Sequence, residues 1–207
     1  MIRKAILCSV LAGGASAQQW EVGTIGGFGF SGSQTVNRGA NSLSTGLSSG
    51  ATLGAYASNQ SRPNLGGEVR YLYRAGGPKL AGTSGMSGRS HLVHYDVLWS
   101  PQDRRESQPW FYLAFGGGIR LFESTGIESS LQPARTFALL TQASQVAPMA
   151  SVGGGMRWAL SSRLALRVEA RDYLSSFPSK LIAPAPGAKV SGILNDVCVL
   201  AGLGVTW

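Results

Sequence analysis

Apolar and polar residues alternate along this chain with a period of two, and the alternation recurs in eight segments. Successive side chains of a β-strand point to opposite faces, so each such segment predicts a strand with one greasy face and one polar face. Near the C-terminus, Val197, Val199, Ala201, Leu203, Val205 and Trp207 fall on one face, against Asp196, Cys198, Leu200, Gly202, Gly204 and Thr206. The other seven segments cover 20–30, 50–58, 65–73, 91–99, 111–121, 146–158 and 163–173. Segment 50–58 carries the weakest pattern, with small residues alternating against Leu53 or Tyr56. Segment 111–121 carries a strong one, with Phe111, Leu113, Phe115, Ile119 and Leu121 on one face and Tyr112, Gly116, Gly118 and Arg120 on the other.

These lengths suit tilted strands that cross hydrocarbon. The connections at 59–64, 100–109 and 160–162 are short, whereas 31–49, 76–90, 124–145 and 175–193 are long and rich in Gly, Ser and Pro. Short and long connections alternate strictly, so both termini fall on the side of the short turns. The prediction is an all-β fold, an eight-stranded antiparallel up-and-down transmembrane β-barrel. The long connections read as irregular, polar outer loops. The apolar Phe137-Ala138-Leu139-Leu140 within one of them extends strands above the membrane or folds over the mouth.

Parity assigns the faces. The apolar sets are mostly free of charge across their central rows and are expected to face lipid. The opposite sets carry Glu21, Glu68, Arg70, Arg74, Asp96, Arg120, Arg157, Arg167, Glu169, Arg171 and Asp196. Eight strands enclose a bore only wide enough for side chains. Glu68, Arg70, Arg74, Asp96, Arg120, Arg157, Arg167, Glu169 and Arg171 are therefore expected to form a paired polar network in the lumen, with glycines at 116, 118, 153, 155, 202 and 204 leaving room for the arginines. Trp20, Trp99, Trp110, Trp158 and Trp207 all fall at the short-turn ends of their segments, where an indole is expected to sit in an aromatic girdle at the bilayer interface. Trp110 is out of phase with Phe111, so one of that pair faces the lumen rim. Phe30, Tyr73, Phe122 and Tyr173 mark the opposite ends and the expected outer girdle.

Composition agrees. Only 14% of the chain is charged, against about 25% in an average soluble domain. The stretch 1–17 has a basic start at Arg3 and Lys4, an apolar run and an Ala15-Ser16-Ala17 cleavage site, which reads as a secretory signal peptide preceding a single barrel domain at 18–207. Cys8 falls inside the apolar run and lacks the context of a lipoprotein cysteine. Cys198 remains as a single thiol, which excludes an internal disulfide framework. The net charge of +8 falls to +6 without Arg3 and Lys4, and the basic residues are spread rather than clustered, so nucleic acid is not an expected partner.

Candidate chemistry is sparse. His91 and His94 are the two histidines, too few with one cysteine for a metal site, and no cofactor is expected. His94 and Asp96 share the inward face and can pair. Gly116-Gly117-Gly118 and Gly153-Gly154-Gly155 lack the Lys-Ser/Thr and the strand–loop–helix setting of a phosphate loop.

Taken with the terminal aromatic Trp207, this pattern resembles the eight-stranded bacterial outer-membrane barrels of the OmpA/OmpX/OmpW type over the whole of 18–207. The resemblance implies location in the outer membrane, contact with its lipid and lipopolysaccharide, delivery by the barrel assembly machinery through the last strand, and a monomer. It implies a non-enzymatic structural or surface-interaction role through the outer loops. A narrow channel for small solutes is the first alternative and a lipid A-modifying enzyme the second. The lipid A deacylase barrels pair a His with a Ser two residues on. Here Val93 and Asp96 occupy those places after His91 and His94. Arg38, Lys79, Arg89, Arg135, Lys180 and Lys189, against Glu123 and Glu128, give the outer loops a positive balance suited to lipopolysaccharide phosphates.

The parity assignment makes a direct prediction. Leu166→Arg places a charge against lipid and is expected to cost about 2–4 kcal/mol if it lies near the midplane. Arg167→Leu disturbs the lumen and leaves insertion intact. Folding titrations of both variants in detergent or lipid check this.

Overall fold

The computed structural model describes residues 19–84, 86–101, 109–128, 132, 134–190 and 192–207. The expected signal peptide, and residues 102–108 of the second short turn, lie outside them. The strands in chain order are β1 (Gln19–Ser31), β2 (Ser33–Arg38), β3 (Asn41–Leu47), β4 (Gly50–Arg62), β5 (Leu65–Ala75), β6 (Pro78–Leu80), β7 (Thr83–Ser84), β8 (Gly88–Trp99), β9 (Trp110–Ser124), β10 (Ala138–Leu140), β11 (Ser144–Ala159), β12 (Leu164–Ser176), β13 (Ile182–Pro184), β14 (Lys189–Val190) and β15 (Ile193–Thr206).

Eight of these close into an antiparallel barrel in the order β1-β15-β12-β11-β9-β8-β5-β4. Each of the eight alternating segments read from sequence forms one barrel strand. Closure between β1 and β15 runs in continuous register from Glu21 opposite Thr206 to Ser31 opposite Asp196. One register shift interrupts the wall, between Gln60 and Arg62 at the β4–β5 turn. A closed barrel pairs all its strand edges, which is what an element immersed in hydrocarbon requires.

The exposure pattern is inverted relative to a soluble protein. Along β15, Leu194, Asp196, Cys198, Leu200, Gly202, Gly204 and Thr206 are buried, and the intervening residues are exposed. Phe28, Leu53, Val69, Val93, Leu113, Phe115, Ile119, Val152, Val199 and Leu203 stand on the outside, each between 45% and 61% exposed. The fully buried side chains include Arg70, Arg74, Arg120, Arg167 and Arg171. An apolar belt this continuous is matched to acyl chains.

The long connections depart from the expectation of irregular loops. β14, β2, β3, β6 and β7 form a five-stranded sheet, and β10 pairs with β13. They enclose a second apolar cluster in which Val36, Leu47, Leu80, Ala138, Leu140, Leu181 and Ile182 pack on Phe122, Ala147 and Leu194 of the barrel. The Phe137–Leu140 stretch therefore folds over the mouth. Ala138 and Leu140 face the cap core and Leu139 is exposed. These strands are two to seven residues long, with apolar residues either single among Ser, Thr and Gly, as in β2 and β3, or in a bare three-residue run, as in β10. Such pieces carry no readable period and are fixed by pairing between distant loops.

The cap has its own core, so it is expected to loosen independently of the barrel. Ile182→Ala removes a fully buried side chain at a cost of about 2–5 kcal/mol. The expected outcome is new proteolytic cleavage within 125–143 or 177–192, while the heat-dependent gel shift of the folded barrel is retained.

Candidate functional site

The bore is the structure's main concentration of chemistry. Inward positions of successive strands bring together six arginines (70, 74, 120, 157, 167, 171) and five carboxylates (Glu21, Glu68, Asp96, Glu169, Asp196), all buried. They divide into two groups along the barrel axis. On β5 the inward order is Glu68, Arg70, Leu72, Arg74, so Leu72 separates a lower cluster from an upper one. Leu92 on β8 and Cys198 and Leu200 on β15 continue that apolar layer, joined by Ile25, Met149 and Tyr173.

The lower cluster is centred on Glu68 and Glu169. Arg70 donates through Nε to Glu68 Oε1 at 3.0 Å and through Nη2 to Glu169 Oε2 at 3.1 Å, and it also binds Glu169 Oε1. Arg171 donates through Nη2 to Glu68 Oε1 at 3.1 Å and to Glu169 Oε2 at 3.2 Å, and pairs with Asp96. Arg167 Nη1 reaches Glu68 Oε2 at 2.6 Å. Arg157 Nε donates to Glu21 Oε2 at 2.6 Å. Two tyrosines complete the lattice. Tyr112 donates to Glu169 Oε2 at 2.7 Å and accepts from Arg167 Nε at 3.2 Å. Tyr56 donates to Glu21 Oε1 at 2.9 Å and lies under the Arg167 guanidinium, 4.4 Å from ring centre to Cζ.

Close packing of this kind needs glycine on the neighbouring strand. A Cβ at Gly155 would lie 2.7 Å from Glu169 Cβ, and one at Gly116 would lie 2.5 Å from Asp96 Oδ1. At Gly204 it would meet Tyr56 Oη at 2.5 Å. The sockets therefore accommodate acids and rings as much as arginines. Gly153 is set against Arg171, Gly29 and Gly76 are set against Arg74, and Gly118 is set against His94.

The upper cluster is Arg74, Arg120 and Asp196. Asp196 Oδ2 accepts from Arg120 Nη2 at 2.7 Å, and Asp196 Oδ1 lies 2.9 Å from Arg74 Nη2 and accepts from Ser31 Oγ at 3.0 Å. The network thus includes all nine predicted lumen residues and adds Glu21 and Asp196, legible from parity. Tyr56 and Tyr112 were not singled out as network members. Their signal was phase alone, since an inward tyrosine beside inward charges has a use for its hydroxyl.

The aromatic expectations need correction at three positions. Trp20, Trp99 and Trp207 are exposed on the outer wall, between 42% and 66%, and Trp158 is partly exposed. Trp110 points inward instead. It stacks on Tyr112 at 5.3 Å and is 4% exposed, while Phe111 takes the outward place. Phe122 and Tyr173, expected in the outer girdle, are also buried on the inner face. Parity overrides the preference of aromatic residues for the interface, because a one-residue offset sends the ring to the other side of the wall.

Neither histidine sits beside a serine or cysteine nucleophile in these contacts. His94 Nδ1 lies 3.0 Å from Asp96 Oδ2 without the alignment of a hydrogen bond, and the ring meets Tyr173 edge-on at 5.3 Å. His91 is on the outer wall, with Nδ1 2.8 Å from Tyr71 Oη and Nε2 3.6 Å from Glu123 Oε2, where Arg89 also binds at 2.6 Å. Among the described residues, no group of three or more His, Cys, Asp or Glu side chains is placed to hold a metal.

The lower lattice predicts a steep asymmetry between bore and wall. Glu68→Gln strips charge from a carboxylate shared by three arginines and is expected to cost about 3–5 kcal/mol. Asp172→Asn, on the outer side of β12, is expected to cost less than about 1 kcal/mol. Urea unfolding of the two variants in lipid or detergent checks the ranking.

No family model matches the sequence, and no curated protein matches it. Solved structures do. Neisserial surface protein A shares 12% identity at a TM-score of 0.55, covering 93% of this chain and 98% of that one. The outer membrane protein OprG from Pseudomonas aeruginosa shares 13% at 0.55, covering 90% and 95%. A major outer membrane protein from Thermus thermophilus shares 16% at 0.53, covering 93% and 100%. At these identities the likeness is one of fold. Joined to the closed barrel and its inverted faces, it shows that this chain has the fold of the eight-stranded outer-membrane β-barrels.

Proposed function

We propose that this protein is a non-conducting, non-enzymatic membrane anchor that presents a folded loop platform at the cell surface for structural or adhesive contacts. The observation that carries the reading is the filled bore. Among the described residues, the lower ion lattice, the Leu72–Leu92–Leu200 layer and the capping cluster follow one another along the axis, each a set of side chains in mutual contact. Buried charges locked in mutual hydrogen bonds are poor at passing solutes, because each would have to surrender its partner to a passing ion.

The platform supports the other half of the reading. Two small sheets with a shared apolar core hold the outer residues in fixed places, unlike a set of independent loops. Arg38 donates to Thr136 O across two loops at 2.8 Å, which ties the five-stranded sheet to the segment before β10. A positively balanced platform beside the outer leaflet suits anionic groups, lipopolysaccharide phosphates first among them. Delivery through the barrel assembly machinery and a monomeric state belong to the same proposal. Among the described residues, the charged side chains that would line a channel are tied to one another across the bore, and neither histidine contacts a serine or cysteine.

Planar bilayers test the proposal. The expected record after insertion of the full-length protein is silent at moderate voltage. Discrete, reproducible openings would overturn the anchor reading in favour of a channel. Mass spectrometry of lipid A from cells with and without the protein is expected to give one and the same spectrum.

A further inference from the structure

The charges of the bore do not balance everywhere, and the place where they fail is specific. In the lower cluster Arg70, Arg157, Arg167 and Arg171 face Glu21, Glu68, Asp96 and Glu169, four charges of each sign. In the upper cluster Arg74 and Arg120 share the single carboxylate of Asp196. One positive charge is thus in excess, and it is confined between the apolar layer below and the cap above. An unmatched charge in such surroundings is expensive unless something neutralises it.

The hydrogen-bond inventory points to the same spot independently. Asp196 engages only Nη2 of each guanidinium. Arg74 Nε, Arg74 Nη1 and Arg120 Nη1 are buried and have no partner among the described residues. Arg74 and Arg120 are 1% and 0% exposed. Of the four buried, unmatched guanidinium nitrogens among the described residues, three therefore lie in the compartment that also holds the excess charge, and the fourth is Arg171 Nε in the lower cluster.

An access path lies beside them. A groove of about 450 Å³ opens on the outer side between the starts of β4 and β8 and the end of β5, lined by Ser48, Gly50, Gly76, Gly77, Ser87 and Gly88. At its Gly76 wall a Cβ would lie 2.8 Å from Arg74 Nη1, so the guanidinium sits directly behind the glycine part of the wall.

We propose that Arg74 and Arg120 form a binding site for a small inorganic monovalent anion of halide size, at the outer end of the bore and reached through the glycine-lined groove. The excess is one unit, which sets the charge of the occupant. The unmatched N–H groups supply its ligands, in the way that guanidinium donors bind anions elsewhere. This site stands apart from the surface role and holds whether or not the platform has a partner.

The test uses bromide as the probe on the full-length protein. Crystals grown with bromide are expected to show an anomalous peak in contact with both guanidinium groups, and chlorine NMR of the detergent-solubilised protein is expected to show line broadening that bromide competes away. Arg120→Gln is expected to weaken binding about tenfold or more. Asp196→Asn raises the local excess and is expected to tighten binding, an outcome that simple damage to the bore would not produce. A peak absent from the Arg74–Arg120 pair in wild-type crystals would overturn the proposal. So would unchanged affinity in an Arg120→Gln protein that keeps its folded gel mobility. If Arg120→Gln does not fold, the wild-type crystals and Asp196→Asn decide the matter alone.

Discussion

The structure rests on one constraint. Inside a bilayer every backbone N–H and C=O must find its partner within the protein. Eight strands meet that demand only by closing, and closure between β1 and β15 through eleven register pairs leaves no free edge in the wall. Once the wall is closed, the period of two does the rest. One side of each strand must be acceptable to acyl chains, so most of the charge on those strands is driven inward, and the exceptions, His91 and Asp172 among them, lie toward the strand ends.

The bore then faces a problem of its own. Its interior is narrow and largely sealed, so its polar side chains must satisfy one another. Pairing Arg70, Arg167 and Arg171 on the Glu68–Glu169 centre distributes each charge over several contacts from several strands. The consequence is mechanical as well as electrostatic. Glu68 on β5 and Arg167 and Arg171 on β12 are remote in the wall, and their bonds act as struts across the lumen. Apolar layers above confine that lattice, and the cap covers the mouth beside the groove at Gly76.

How much of this was legible in the sequence follows from the physics of each part. Barrel strands run through hydrocarbon from one interface to the other, so their alternation is long and survives the noise of individual residues. The inward charges were legible for the same reason, because lipid tolerates so few on the other face. The cap strands were not legible. β6, β10 and β13 are three residues each, and β14 is two, so alternation has no room to declare itself. Trp110, Phe122 and Tyr173 failed for a different reason. They lie near strand ends, where an aromatic is welcome on either face, and residue type alone could not choose. Their phase with Tyr112, Arg120 and Arg171 respectively was the better guide.

The glycine sockets constrain how this protein can change over time. Gly155 against Glu169, Gly153 against Arg171 and Gly116 against Asp96 are pairs whose combined bulk is fixed by the spacing of adjacent strands. A methyl gained at the glycine meets the backbone carbonyl of Val168, Ala170 or Tyr95 before it meets the partner side chain, so it has to come with a shift between the two strands, and a charge lost in one place must be recovered across the lumen. Divergence within the bore should therefore proceed by coupled exchanges between neighbouring strands, whereas the lipid-facing wall, which asks only for greasiness, is free to drift one residue at a time.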